Sequence, residues 1–328
     1  MAAAVRPEKI LRELDELWAG MGKESEGAGV LRACAMTLIV ITDDTDTGDA
    51  GETLAKLMRE HPARAVVLKL APGEGERLEG RVFAQCWMPF GRRQQICCEQ
   101  IEITSSAASM KEVPPVVRAL TAPDLPVIVW SRVPGLLRRA EMAPLLELAS
   151  KVIVNSAGVT DAAGRLRGIL EESRRRVVAD LAWTRLTRWR EMVAQVFDEP
   201  ACAGQIPLLD EAWIEYDGSF VPTSVYYMMG WLGSALGRDL RFGIRQAGDC
   251  ERPRLHGVTL RGGALDLRIE VEQSRAAEVA VCGREAHPVM PSLSEYELLR
   301  EELSIVGRDP VFEAALERAE RYARERAG

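Results

Sequence analysis

Two guanidinium groups project into the broad apolar arc of one predicted helical stretch of this chain. Residues 180–198 read DLAWTRLTRWREMVAQVFD. At about 100° per residue, the apolar side chains of this stretch share one arc of roughly 220°. An arc that broad predicts cover on both sides of a helix over 181–197. Arg185 projects into it beside Met192 and Val196, and Arg190 beside Phe197 and Trp183. A guanidinium stays charged, so each needs a carboxylate, a phosphate or a route back to water. The pattern suits either a core helix whose arginines pair with the chain's own acids, or a helix that carries an anion or partner contact. Arg185 and Arg190 lie about 140° apart on the helix, so one pocket would hardly satisfy both. Arg190 is expected to stack on an aromatic face and to pair with Asp180 or Asp198. Arg185 has fewer aromatic neighbours and is the better contact candidate.

The remaining reactive residues point to less chemistry. The acidic run Asp43-Asp44-Thr45-Asp46-Thr47-Gly48-Asp49 follows a predicted strand, where ligands bind in open α/β sheets. Asp43, Asp44 and Asn155 are therefore candidate lining residues of a cleft at the sheet's carboxyl edge. The run lacks the spacing of an EF-hand and its closing Glu, so a solvated loop is the plainer expectation. Gly73, Gly75 and Gly80 do not make G-x-G-x-x-G, and there is no G-x-x-x-x-G-K-[ST]. Binding of a dinucleotide by the usual device is not expected, and no cofactor is assigned. His61, His256 and His287 are far apart, and none has a Cys or His neighbour at ligand spacing, so no metal site is signalled. Cys97 and Cys98 are adjacent in a predicted strand and should point to opposite faces as inert, buried side chains.

The elements that position these residues fall into two groups. A helix over 7–20 and a glycine-marked loop precede a buried strand at 35–42. A helix at 52–61 and a strand at 65–70 complete a β–loop–α–β unit. Alternating strands at 78–88 and 94–103 are expected to pair with each other. A helix at 113–120, buried strands at 127–130 and 151–154, and a helix at 142–148 then follow. This pattern predicts an α/β fold with an N-terminal Rossmann-like doubly wound sheet over residues 1–157. Residues 158–328 predict a smaller α+β domain. It has helices at 161–175 and 181–197, a strand at 208–216, and a helix at 224–237 carrying Gly230, Gly233 and Gly237. An antiparallel meander over 241–282 and two C-terminal helices finish the chain.

Bulk properties narrow the function classes. With 47% hydrophobic and 28% charged residues among 328, this is ordinary globular composition. A net charge of −7 argues against nucleic acid as a partner. No apolar run approaches the ~20 residues that span a bilayer. The N-terminus turns amphipathic and acidic at once, unlike a secretory or transit signal, so a cytoplasmic location is expected. Seven cysteines without C-x-x-C do not suggest a disulfide framework.

Several segments resemble one family. The run at 180–198 is similar to the signature of the OpcA family, the glucose-6-phosphate dehydrogenase assembly proteins. HPARAVVL at 61–68, CEQI at 98–101, DLPVIVW at 124–130, KVIVNS at 151–156 and GWLGSALG at 230–237 follow in the family's order. The resemblance spans about residues 5–320. It implies a non-catalytic assembly factor or allosteric activator whose partner is glucose-6-phosphate dehydrogenase, in the oxidative pentose-phosphate pathway. Arg185, Trp183, Trp189 and Arg190 are then candidate partner-binding residues, with Arg and Trp in their usual role as interface anchors. Homo-oligomerisation is compatible with this reading. The alternative is an α/β enzyme, or a binder of phosphorylated or nucleotide sugars, using the cleft near Asp43 and Asn155.

Overall fold

The structure is a computed structural model that describes residues 6–24, 30–43, 49–73, 75–88, 95–238, 240–271, 277–281 and 284–327. The chain opens with α1 (Pro7–Glu24), which buries Ile10 and Leu14. After the short β1 (Val30–Arg32), the apolar run around Ile39 forms β2 (Met36–Asp43), buried at every residue but the last. A strand buried on both faces reads as a continuous apolar run, which is why this one is evident in the sequence. α2 (Asp49–Glu60) returns the chain to β3 (Ala63–Ala71). β4 (Leu78–Trp87) and β5 (Gln95–Ser106) pair antiparallel, from Leu78 with Ser105 to Trp87 with Ile96. α3 (Val113–Leu120) carries Pro114 in its first turn, where a missing N–H costs nothing. Next come β6 (Val127–Ser131), α4 (Ala143–Leu146) and β7 (Lys151–Val154). α5 (Ala162–Ser173) is capped by Asp161, which accepts from the Gly164 N–H at 2.8 Å, and β8 (Val177–Asp180) follows.

These strands form one sheet in the order β1-β5-β3-β2-β6-β7-β8, with β4 paired to β5. The pairs β5/β3, β3/β2, β2/β6 and β6/β7 are parallel. The chain moves outward from β2 through β3 to β5, then crosses back and moves the other way from β6 to β8. That is the doubly wound order, and its switch point lies between β2 and β6, where Ile41 pairs with Ser131. The Rossmann-like sheet expected from the sequence is therefore present. β8 was not anticipated, because Val177–Asp180 is short and its last residue doubles as a helix cap. The helix expected over 142–148 shrinks to the four residues of α4.

Cys86 and Cys97 face each other in the β4/β5 register and are joined by a disulfide. This corrects the expectation of two inert thiols at Cys97 and Cys98. Cys98 remains free and buried.

The rest of the chain builds a second core. The expected single helix is two, α6 (Leu181–Thr184) and α7 (Thr187–Val196), followed by the short α8 (Pro200–Ala203). β9 (Glu211–Asp217), α9 (Thr223–Ala235) and β10 (Arg241–Gly248) come next. β11 (Arg254–Gly262), β12 (Leu265–Val271), β13 (Ala277–Val281) and β14 (Arg284–Ala286) complete a sheet in the order β10-β9-β11-β12-β13-β14. β11 to β14 are the expected antiparallel meander, with β9 antiparallel to β11. β10 departs from it and runs parallel to β9, because α9 carries the chain across between them. The chain ends on α10 (Glu295–Ser304) and α11 (Pro310–Ala327). Gly230 of α9 lets α11 come close: a Cβ there would lie 2.1 Å from the Ala315 carbonyl oxygen.

The chain divides into two compact units. The first comprises Met1–Val154, Arg176–Val178 and Glu295–Ser304, and the second Asn155–Arg175, Ala179–Ser294 and Ile305–Gly328. Among the described residues, no helix is long and apolar enough to cross a membrane.

Candidate functional site

The Asp180–Asp198 stretch is organised by its first residue. Asp180 ends β8 and caps α6, so an extended backbone presents its carboxylate to the free N–H groups of the helix. It is completely buried. Oδ1 accepts from the Ala182 N–H at 3.0 Å and from the Ser156 N–H at 2.9 Å. Oδ2 accepts from the Tyr227 hydroxyl at 2.8 Å. The Ser156 and Thr223 hydroxyls lie 2.8 Å apart. One carboxylate thereby ties the turn at Ser156, the start of α6 and the first turns of α9 together.

Burial pushes the Asp180 carboxyl above its ordinary value, against the hydrogen bonds from Ser156, Ala182 and Tyr227 that favour its charged form. Burial also pushes the Tyr227 phenol well up, and the neighbouring Asp180 charge adds to this, while Arg165 opposes it. Both side chains are sealed from solvent and their polar atoms are engaged with one another. Such a pair fixes structure and does not exchange protons with a ligand.

Aromatic packing extends the cluster. The Trp183 ring meets Tyr227 edge-on at 5.9 Å and Phe312 of α11 at 5.7 Å. The Arg190 guanidinium carbon lies 3.6 Å from the Trp183 ring centroid, and its Nη2 donates to the Thr187 hydroxyl at 3.0 Å. The Asp180 carboxylate, expected as an ion-pair partner for Arg190, is instead taken up by Ser156, Ala182 and Tyr227. Trp189 is buried on α7. Arg185 is exposed, with Nη1 donating to the Leu293 carbonyl at 3.2 Å.

The exposure of Arg185 corrects its projected place inside the apolar arc. A regular angular increment assumes an unbroken helix, and here α6 closes in a tight turn with the Leu186 N–H bonded to the Trp183 carbonyl at 2.9 Å. Ala194, at the edge of the arc, is exposed as well. The structure thus brings Trp183 and Arg190 together and turns Arg185 outward. Asp180, Ser156, Thr223 and Tyr227 were not anticipated as a group. The one local signal was an Asp directly before an apolar helical run, which is a helix-start signal.

The other candidate residues are Asp43, Asp44 and Asn155. Asp43 is the exposed last residue of β2, beside the switch point, and Asp44 lies outside the described residues. Beyond the end of β6, the Arg132 Nε sits 3.1 Å from a Glu295 carboxylate oxygen, so that cation is already neutralised. Asn155 belongs to the second unit, where its Oδ1 accepts from the Ala157 N–H at 3.1 Å and closes an Asx turn.

The chain matches two family models in succession. Residues 54–171 match the family model described as the glucose-6-phosphate dehydrogenase subunit N-terminal domain, and residues 176–316 match the one described as its C-terminal domain. A Nostoc punctiforme protein provisionally named OxPP cycle protein OpcA is 27% identical over 208 residues, 61% of this chain and 43% of that protein. A Synechocystis protein of the same provisional name is 25% identical over 197 residues, 59% of this chain and 40% of that protein. The chain spans about two fifths of the length of the curated relatives it matches. Among solved structures, it is similar to a lysine-to-alanine variant of a 3-ketoreductase from Actinomadura kijaniata, in complex with TDP-benzene and NADP. The TM-score is 0.50 at 14% identity, covering 92% of this chain and 98% of that one. That likeness is one of fold.

Proposed function

This chain belongs to the OpcA family of glucose-6-phosphate dehydrogenase subunits, and we propose that it is a non-catalytic cytoplasmic partner that promotes assembly or activity of that enzyme. The observation that carries the proposal is the match of both halves, in order, to the two domains of such a subunit. Electrostatics at the switch point supports it. In dinucleotide-binding sheets a pyrophosphate sits at the first helix N-terminus, against backbone N–H groups. Here the sequence from the end of β2 to the start of α2 supplies Asp43, Asp44, Asp46 and Asp49, whose charge repels a phosphate. The sealed Asp180–Tyr227 pair likewise acts as scaffold.

Within this reading, Arg185 is the contact residue, because it is the exposed one of the four candidates. Trp183, Trp189 and Arg190 shape the helices that present it. Size-exclusion chromatography with light scattering tests the association. The chain and its cognate dehydrogenase should co-elute at a mass above either alone, and independent elution at every ratio would overturn the proposal.

A further inference from the structure

On the polar face of the second unit's sheet, Glu215 of β9, His256 of β11 and Glu270 of β12 each place a ligand atom within 4.8 Å of the other two. Strand register explains their convergence. Gly257 stands opposite both Glu215 and Glu270. Leu255 pairs with Tyr216 and Gly257 with Glu215, so His256 is the extra residue of a bulge. Regular alternation would turn adjacent residues to opposite faces; a bulge re-aims one of them. Gly257 also keeps the middle of the group open, since a Cβ there would lie 3.2 Å from Glu215 Oε2 and 3.3 Å from Glu270 Cγ.

Each of the three side chains is engaged through one atom. Glu215 Oε1 contacts Arg245, and Glu270 Oε1 contacts Arg268. His256 Nδ1 lies 3.2 Å from Asp217 Oδ2, which is also 3.2 Å from Arg254 Nε. Among the described residues, no protein group engages Glu215 Oε2, Glu270 Oε2 or His256 Nε2. A carboxylate on Nδ1 is the arrangement that fixes an imidazole with Nε2 presented to a metal.

We propose that Glu215, His256 and Glu270 bind a first-row divalent transition-metal ion, with Asp217 as a positioning residue. Two carboxylates and an imidazole suit zinc better than calcium or magnesium, which favour oxygen ligands throughout. Three protein ligands leave a fourth position for water or for a donor from another molecule. Arg245 and Arg268 each retain one carboxylate oxygen, so the ion binds through single oxygens.

Titration of zinc chloride into the tag-free full chain by calorimetry tests the site, with cobalt as the spectroscopic probe. One zinc per chain is expected, weakened at least tenfold in His256→Ala and in Glu270→Gln. Asp217→Asn should weaken it by about 10- to 100-fold, the usual effect of losing such a partner. Cys34→Ser should leave it unchanged, and the cobalt spectrum should lack thiolate charge-transfer bands. Matching melts without metal confirm that each variant is folded; should His256→Ala not fold, Glu270→Gln, at a partly exposed residue, carries the test. Absence of saturable binding, binding unchanged in a folded ligand variant, or a thiolate band would overturn the assignment.

Discussion

The Arg190 guanidinium carbon sits over Trp183, 3.6 Å from the ring centroid, while Trp183 contacts Tyr227 and Phe312. The charge is thus held against a ring that also packs on two other aromatic rings. Arg190→Ala should cost about 1–2 kcal/mol, the range for a partly desolvated cation–π pair. Arg190→Lys should recover less than half of that, because an ammonium neither stacks nor forks. Urea denaturation measures both; midpoints equal to the parent's would show that the stack contributes nothing.

Asp180 makes stability depend on pH in a defined direction. Burial raises its pKa in the folded chain above the ordinary 3.8. Between the unfolded and folded values the folded state holds a proton that the unfolded chain has lost. This contribution is fully present below pH 3.8 and is lost as pH rises through the folded value. Asp180→Asn has no such titration, so its stability relative to the parent should rise from pH 3.8 upward. Parallel stability curves for the two proteins would contradict the account.

Particular residues show why parts of this structure were legible in the sequence. β2, β6 and β7 each carry a short apolar run, the pattern of a strand covered on both faces. The stacking of Arg190 on an aromatic face follows from which rings flank it. Arg185 falls outside the apolar arc because a two-residue turn resets the helical phase, and residue types there do not announce it. Asp180 and Tyr227 are 47 residues apart, so only the packing of α9 on α6 brings them together. The Glu215–His256–Glu270 group depends on a bulge and a three-strand register, neither of which shows in the linear spacing.

The free thiols should differ widely in reactivity. Burial pushes the Cys98 thiol up to about 11. At neutral pH its thiolate fraction is then on the order of one in ten thousand. Cys34 is exposed. Iodoacetamide under native conditions should therefore label Cys34 well before Cys98, read by peptide mass spectrometry. Equal rates would mean that the strand carrying Cys98 opens readily.

The acidic residues between β2 and α2 should exclude dinucleotides from the switch point. Calorimetric titration of the isolated chain with NADP or NAD should show no binding at micromolar ligand. Micromolar affinity for either would return the chain to the enzymes whose fold it shares.

The most direct measurement is the rate of the cognate glucose-6-phosphate dehydrogenase as this chain is added. The account predicts a saturable rise in rate or oligomer order with the parent protein. It also predicts an unchanged melting temperature but loss of that rise with Arg185→Ala. The chain alone should reduce no NADP in the presence of glucose 6-phosphate. A dehydrogenase whose rate and mass stay constant across all ratios, or NADP reduction by the chain itself, would contradict the central claim.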